Sequence, residues 1–210
     1  MSPTAKPRAG SAAAAAPTES VRDRILNTAR ELFYKEGARA VGVDTVVAQS
    51  GVAKTSLYRW FPSKDALIVA VLEQERKDRW AGWDKTAATS DSEPRARLRA
   101  HLTGIARYVS SSHFHGCPFM NIIAAFPDPQ HPARLLAIEE IEELRRRLRG
   151  LVDNIEGVRN PEELTEHLLL LVDGAFSSAQ ALGKNGPQRH LVVAADALVD
   201  LQLKKEVTRD

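Results

Sequence analysis

The chain has 210 residues, of which 43% are hydrophobic, 27% charged and 6% aromatic, a composition typical of a folded globular protein rather than of a disordered chain or a fibre. The single cysteine, Cys117, excludes an intramolecular disulfide framework and a zinc site built from cysteines. The longest apolar stretch, from Leu168 to Leu182, is interrupted by Asp173, so the sequence predicts no membrane span. We therefore expect a cytoplasmic protein without a membrane partner.

The formal net charge of +2 conceals an uneven distribution along the chain. Residues 1–64 carry ten basic and five acidic side chains, whereas the rest of the chain has more acidic than basic ones. A basic N-terminal part on a mildly acidic body predicts that an anionic partner binds to the N-terminal part.

The predicted elements begin after an alanine-rich segment with three prolines, residues 1–17, which we expect to be a disordered tail. From residue 18 onward the apolar spacing is helical throughout. The first helix is predicted to start at a Ser20 or Thr18 cap and to stop at Gly37. Two short helical segments follow, separated at Gly51, and a longer helix capped by Ser63 is expected to reach about residue 84.

Prolines divide the remaining chain into five predicted helices, at about 95–110, 118–125, 133–154, 162–183 and 188–205. In the helix at 133–154, a run of glutamates precedes a run of arginines opposite the apolar stripe, which predicts a solvated outer face. The glutamates of this face are Glu139, Glu140, Glu142 and Glu143.

The last two predicted helices are apolar on two faces, so each requires two packing partners. A second copy of the chain can be one of them, and we predict a two-fold four-helix interface in a homodimer. The alternative is a pair of internal core helices in a monomer. The predicted interface residues are Leu168, Leu171, Val172, Ala175, Ala179, Leu182, Ala195 and Leu198.

The segment from residue 43 to residue 67 indicates which anionic partner the basic N-terminal part binds. It predicts a short helix, a turn at Gly51 and a second short helix that is presented to the major groove of DNA. The second helix begins with Lys54, Thr55 and Ser56, and Arg59 lies on the same face. Basic and short polar side chains in these positions can reach base edges.

The same segment contains a specific pattern: Val47-Ala48, Gly51-Val52, Leu57-Tyr58, Phe61 and Ser63-Lys64-Asp65-Ala66-Leu67. With this pattern, the chain resembles the TetR family of transcriptional regulators over about residues 20–70. Gly42 and Ala53 depart from the family pattern, because a capping Ser or Thr is frequent at both positions. Trp60 stands where the family often has histidine.

The resemblance implies an all-α fold of about nine helices, with a three-helix helix-turn-helix DNA-binding domain at 18–66 and a helical effector-binding and dimerisation domain at 67–210. It also implies a homodimer that binds a palindromic DNA operator, with half-sites roughly 34–36 Å apart. The DNA-binding candidates are Lys54, Thr55 and Arg59 at the base edges, Tyr58, Trp60 and Lys64 at the phosphates, and Ser56 at the start of the same helix.

The resemblance further implies a cavity for a small-molecule effector inside the helical body. Aromatic and sulfur-bearing side chains concentrate in residues 111–132 and could line it together with residues of other helices. Ordinary core packing is the alternative for each of them. The candidate lining residues are Trp80, Trp83, Phe114, Cys117, Phe119, Met120, Phe126, Asp173 and Phe176.

Two polar features of the body allow alternatives. Asp173 lies among apolar neighbours, so a buried carboxyl there requires a ligand group or a salt bridge within the dimer. His113, His115 and Cys117 make an incomplete metal site, so we expect no metal and no other cofactor. A redox-sensing thiol at Cys117 is an alternative to ligand sensing.

These patterns together predict a sequence-specific DNA-binding transcriptional regulator, a repressor that a small-molecule effector releases from DNA. The sequence contains no phosphate-binding loop, nucleophile elbow, zinc-helix signature or dinucleotide fingerprint, so we do not expect an enzyme. The alternatives are an unspecific architectural DNA-binding protein without an effector and a thiol-based redox-responsive regulator.

Overall fold

The computed structural model describes residues 19–90 and 92–203, and within these ranges the chain forms nine α-helices and no strand. The predicted all-α fold is therefore confirmed. The expected tail at 1–17 lies outside the described residues. The helices are α1 (Val21–Leu32), α2 (Val43–Ser50), α3 (Lys54–Trp60), α4 (Lys64–Thr89), α5 (Pro94–Val109), α6 (Pro118–Ala125), α7 (Pro132–Val152), α8 (Pro161–Leu182) and α9 (Leu191–Leu203).

The helices start where capping residues and prolines permit. Pro94, Pro118, Pro132 and Pro161 each stand in the first turn of a helix, where the missing N–H costs no hydrogen bond. The hydroxyl of Ser63 accepts a hydrogen bond from a backbone N–H in the first turn of α4, as the sequence predicts.

Three helix boundaries differ from the expected ones. The α-helical part of α1 ends at Leu32, because Phe33–Gly37 forms a π-helical turn. Helix α4 extends to Thr89 because residues 85–89 contain no helix-breaking residue. Helix α9 begins at Leu191, after a 3₁₀ turn at Pro187–His190.

The N-terminal domain consists of α1, α2, α3 and the first turns of α4. Helix α1 packs against the other three helices. Its core includes Ile25, Ala29, Val46, Leu57 and Leu67, whose side chains are fully buried. These apolar contacts fix the orientation of α3 relative to α1.

The body consists of the rest of α4 and α5 to α9. Helix α7 packs on α4, α5, α6 and α8, and α9 packs on α5 and α8. Helix α4 belongs to both parts, since it contacts α1 on one side and α5 and α7 on the other. The expected domain boundary after residue 66 therefore lies within a continuous helix.

The prediction that the charged face of α7 is exposed to solvent is wrong at Glu140, because this residue is fully buried. Helix α4 covers this side of α7, and the indole N–H of Trp80 donates a hydrogen bond of 3.1 Å to Glu140 Oε2. Burial raises the pKa of Glu140, although the charges of Arg76 and Arg79 oppose this shift. Glu139 and Glu142 are exposed.

A matched pair of glycine substitutions tests the turn between α2 and α3. Gly51 has φ = 65° and an added Cβ would meet no atom within 4 Å, so Gly51→Ala should lower the free energy of unfolding by about 1 kcal/mol through backbone strain alone. Gly150 inside α7 has equally open surroundings but ordinary helical φ. Gly150→Ala should raise the free energy of unfolding by roughly 0.5–1 kcal/mol. Urea denaturation measures both, and effects of the same sign would contradict this account.

Candidate nucleic-acid interface and effector cavity

The turn between α2 and α3 sets the position of α3. Gly51 adopts the left-handed conformation, and its N–H donates to the carbonyl of Val47 at 3.1 Å. Val46, Val52 and Leu57 are buried at this turn. With its inner side fixed in this way, α3 presents its other side to solvent, the geometry of a helix-turn-helix reading helix.

The base-edge candidates lie on the outer side of α3. Lys54, Thr55 and Arg59 are exposed, and Ser56 is half-buried. The Lys54 ammonium lies 2.6 Å from the carboxylate of Asp44 in α2, and the hydrogen bond and charge of Asp44 raise the pKa of Lys54. Because both side chains are more than half exposed, a DNA acceptor can replace Asp44 at small cost.

The three phosphate candidates differ in accessibility. Tyr58 is 43% exposed and Trp60 is 47% exposed. Lys64 is half-buried, and its ammonium donates a hydrogen bond of 3.0 Å to the carbonyl of Arg39. Burial lowers the pKa of Lys64. Lys64 therefore ties the start of α4 to the segment before α2, and only its remaining N–H donors can serve a phosphate.

The helix starts in this region lack two hydroxyl caps. Gly42 and Ala53 stand before α2 and α3, and neither supplies a side-chain hydrogen bond to the helix. The sequence predicts this from the residue types alone.

A cavity of about 400 Å³ lies in the body between α4, α5, α6 and α8. Four of the nine predicted lining residues contribute to its wall: Trp80, Trp83, Phe119 and Phe176. The size and the aromatic lining are those of a small-molecule site.

The other five candidates lie elsewhere. Phe114 lines a different cleft, of about 770 Å³, between the N-terminal domain and the body. Cys117 is buried, and Met120 and Phe126 are partly buried against the hydrophobic core. Asp173 is half-buried, and burial raises its pKa while the charge of Arg79 opposes the shift.

The cavity wall also contains polar residues that sequence reasoning missed. One of them, His101, could have been predicted from the sequence, because its spacing from Leu98 and Ile105 places it on the apolar face of α5. The others could not, since they meet only through the packing of α1, α4 and α5. These residues are Arg30, Glu75, Asp78, Arg79 and Tyr108.

His101 is a neutral, buried histidine. Only 3% of its surface is exposed, and its ring stacks on Trp83 with the ring centroids 4.0 Å apart. Burial, assisted by the charge of Arg147, lowers the pKa of His101 to about 4. Its Nε2 atom is buried and has no hydrogen-bond partner among the residues that the structure describes.

The cavity wall includes the joint between the N-terminal domain and the body. Arg30 of α1 forms ion pairs with Glu75 and Asp78 of α4, the second at 2.7 Å, and we call these three residues the Arg30 cluster. Near it, the hydroxyl of Tyr34 donates to the carbonyl of Gly116 at 3.2 Å. The Arg30 cluster at the cavity wall and the Tyr34 contact outside it therefore add polar contacts to the apolar packing of α1 on α4.

The residues predicted for the dimer interface fall into two groups. Leu182 is 64% exposed, and Leu171 and Leu198 are half-buried. The other five have 5% or less of their surface exposed and pack inside the protomer, so they are core residues: Leu168, Val172, Ala175, Ala179 and Ala195. The apolar side chains that α8 and α9 expose are Leu170, Leu182, Val193 and Leu201.

The thiol of Cys117 lies 3.5 Å from the guanidinium of Arg79. His113 and His115 do not complete a metal site with it: in the described ranges no three His, Cys, Asp or Glu side chains form a group that could hold a metal ion. No described helix is both long and apolar enough to cross a membrane.

A turn-linked pair of short helices with an exposed polar face, carried on a helical body, defines a helix-turn-helix DNA-binding protein. The family model "Bacterial regulatory proteins, tetR family" matches residues 25–71. Residues 25–71 are thus similar to the DNA-binding domain of TetR-family transcriptional regulators. The sequence-based identification is thus confirmed.

Relatives and solved structures agree with this assignment. The HTH-type transcriptional activator FasR of Mycolicibacterium smegmatis is 36% identical over 93 residues, which are 44% of this chain and 42% of FasR. The matched part thus spans less than half of that relative. The HTH-type transcriptional regulator YjdC of Escherichia coli is 23% identical over 74% of this chain and 81% of YjdC.

Among solved structures, the TetR-family regulator SCO4454 from Streptomyces coelicolor superposes with a TM-score of 0.83 at 27% identity, over 88% of this chain and 96% of that one. The reduced form of Escherichia coli NemR has a TM-score of 0.75 at 20% identity, over 84% of this chain and 95% of NemR, which is a likeness of fold.

The neutral, buried state of His101 predicts a pH dependence of stability. Its pKa of about 4 in the folded protein lies below the ordinary value of 6.5, so the unfolded chain binds the proton first as the pH falls. The free energy of unfolding should therefore decrease between pH 6.5 and pH 4, by at most about 3 kcal/mol from this group. In urea denaturation at several pH values, His101→Asn should flatten this slope. His113→Asn is the exposed-histidine control, and an equal flattening by both substitutions would contradict the assignment.

Proposed function

We propose that the protein is a homodimeric repressor, acting in the cytoplasm, that binds a palindromic operator and releases it when a small molecule occupies the cavity of the body. The observation that carries this proposal is the position of the Arg30 cluster. Arg30 belongs to α1 of the N-terminal domain, yet it lines the cavity together with α4 and α5. A ligand in the cavity is thus in contact with the joint that holds the DNA-binding domain.

The route from ligand to DNA is short. Helix α1 packs on α2 and α3, so a displacement of α1 relative to α4 also moves α3. In a dimer, two α3 helices must match half-sites at a fixed spacing, and a small change of their separation lowers the affinity for the operator. A ligand that binds the displaced arrangement better than the DNA-bound one therefore releases the operator.

The roles of the DNA contacts follow from their positions. Thr55 and Arg59 on the exposed side of α3 are proposed to read base edges, with Lys54 joining them when DNA displaces Asp44. Tyr58 and Trp60 are proposed to contact phosphates, and Lys64 contributes through the donors that Arg39 leaves free.

The exposed apolar side chains of α8 and α9 support dimerisation. Leu170, Leu182, Val193 and Leu201 are each more than half exposed. Monomeric soluble proteins rarely expose several large apolar side chains on adjacent helices, and such a surface is typical of an interface. We therefore propose that these four residues, with Leu171 and Leu198 at the margin, form the two-fold contact.

The competing functions are less well supported. An architectural DNA-binding protein needs no cavity beside its DNA-binding domain. A redox-responsive regulator needs a reactive thiol that oxidants can reach, whereas Cys117 is buried. The relative FasR is named as an activator, but its similarity covers the N-terminal part, and the position of the operator relative to the promoter determines the sign of regulation.

Selection of DNA from a random pool tests the DNA-binding half of the proposal. We expect enrichment of a palindrome with half-sites roughly 34–36 Å apart or at a related spacing. Thr55→Ala should change which bases are enriched, because each lost base contact removes about 1–3 kcal/mol of discrimination. Tyr58→Ala should weaken binding to all sequences alike, because a phosphate contact carries no base information.

Arg146→Ala is the control for these variants, because it removes an exposed charge from α7 of the body. It should leave both affinity and preference unchanged. Enrichment of sequences without two-fold symmetry would contradict the proposed dimeric reading.

The Arg30 cluster provides the test of ligand coupling. A compound that raises the thermal unfolding temperature of the wild type is first found in a screen of small apolar compounds. At saturation it should weaken operator binding about 5- to 150-fold, the range of typical allosteric coupling. Arg30→Met should reduce this factor towards one, since the ion pairs between α1 and α4 are already lost. Fluorescence anisotropy of labelled operator measures the affinities.

Arg149→Met is the matched control, because Arg149 forms a comparable ion pair with Asp153 at 2.6 Å on the body surface. It should keep the wild-type coupling. A full ligand response in Arg30→Met would exclude the Arg30 cluster as the transmitting contact.

A further inference from the structure

One charged group in the cavity wall stands apart from the others. Arg79 of α4 has a side chain that is only 20% exposed. Its guanidinium carbon lies 4.7 Å from the ring centroid of Phe119 and 5.8 Å from that of Phe176. The cation is therefore held between aromatic rings, out of bulk water and at the surface of the cavity.

The hydrogen-bonding capacity of Arg79 is largely unused. In the described part of the chain, its hydrogen-bond acceptor is the sulfur of Cys117 at 3.5 Å, which is a weak acceptor. The nearest paired carboxylate is Glu140, with 3.7 Å between Arg79 Nε and Glu140 Oε1, beyond hydrogen-bond distance. Glu140 also bonds Trp80 and pairs with Arg76, so it does not serve Arg79 alone.

Arg30, the other cation of the wall, already has carboxylate partners. Arg30 is paired with both Glu75 and Asp78. Asp173 lies near Arg79, but burial raises its pKa, and no hydrogen bond or ion pair joins the two in the described residues. Among the charged side chains of the wall, Arg79 is the largely buried cation that is short of hydrogen-bond acceptors.

The rest of the wall determines what else a ligand must have. The indoles of Trp80 and Trp83 and the rings of Phe119 and Phe176 surround a volume of about 400 Å³, enough for a fused or substituted ring system. His101 contributes an unpartnered Nε2 behind Trp83, and its neutral ring supplies no positive charge. Of the two cations in the wall, Arg79 is the one without a carboxylate at hydrogen-bond distance, because Arg30 is paired with Glu75 and Asp78.

We propose that this cavity binds an organic acid with an apolar ring system, its carboxylate held by Arg79 and its rings packed against Trp80, Trp83 and Phe176. This inference rests on the proposed function, in which the same cavity is the effector site. A guanidinium presents paired N–H donors that match the two oxygens of a carboxylate. The aromatic surroundings strengthen this bond because they exclude water.

The binding test uses three probes with one ring system: 2-naphthoate, 2-naphthamide and 2-naphthylmethylamine. Titration calorimetry on the full chain without DNA measures each affinity. The acid should bind about tenfold or more tightly than the amide, because the amide cannot form a charge-assisted pair, and the amine should bind most weakly because Arg79 repels it.

Substitutions assign the preference to Arg79. Arg79→Met keeps the length of the side chain and removes its charge, so it should lower the affinity for the acid by about tenfold or more and leave that for the amide unchanged. Arg79→Lys should retain part of the preference for the acid. Arg76→Met is the matched control: Arg76 lies three residues earlier on α4 and also pairs with Glu140, and this variant should bind all three probes as the wild type does.

Several outcomes would overturn the proposal: equal binding of acid and amide, tightest binding of the amine, binding of none of the three probes, or an unchanged acid preference in Arg79→Met with a wild-type circular dichroism spectrum. Operator binding by the same preparations is a separate readout. Acid selectivity without operator binding would leave the site intact and refute the regulator. Operator binding without acid selectivity would support the proposed regulator and refute the proposed acid site.

Discussion

The arrangement of the molecule depends on the ion pairs that Arg30 of α1 forms with Glu75 and Asp78 of α4. Through α1 these pairs hold α2 and α3, and through α4 they hold the body. Removing one partner of a partly buried ion pair leaves a charge without compensation, which costs more than the loss of an exposed pair. The ion pairs therefore hold α1 to α4 strongly, and the same three residues line the cavity. In the proposed function, this combination lets a ligand change the position of α3 without contacting α3.

In the proposed function, helix α4 transmits the effect of a ligand, because α4 is held by charged side chains at two places. Near its middle it is held to α1 by the Arg30 cluster, and on its other side Arg76 and Trp80 meet the buried carboxylate of Glu140 in α7. Packed interfaces of this kind have discrete arrangements and do not deform continuously. In the proposed function, a ligand that fills the space between α4 and α5 favours one arrangement of α4 over another, and α1 follows.

The sequence predicts local features of this structure well and tertiary features poorly. Gly51, Ser63 and the helix-initiating prolines are recognisable because their conformational preferences are local. The prediction that Glu140 is exposed is wrong. The apolar stripe of α7 indicates one buried side of this helix, and it does not show that α4 covers a second side. The most apolar positions of α8 and α9 belong to the protomer core, so hydrophobicity alone selects Leu168 rather than the exposed Leu170. Arg30 and Glu75 meet across 45 residues, and no spacing rule indicates that contact.

The small net charge of the chain conceals cationic side chains in two kinds of surroundings. The basic surplus of residues 1–64 includes exposed groups such as Arg59, which attract DNA phosphates over long distances and are screened by salt. Arg79 carries the same charge inside a cavity of aromatic rings, where screening is weak and the interaction has short range. Ionic strength therefore changes the binding of DNA much more than the binding of a charged ligand in the cavity. Under the proposed function, a ligand in the cavity would therefore control DNA release across conditions in which the affinity for DNA itself varies widely.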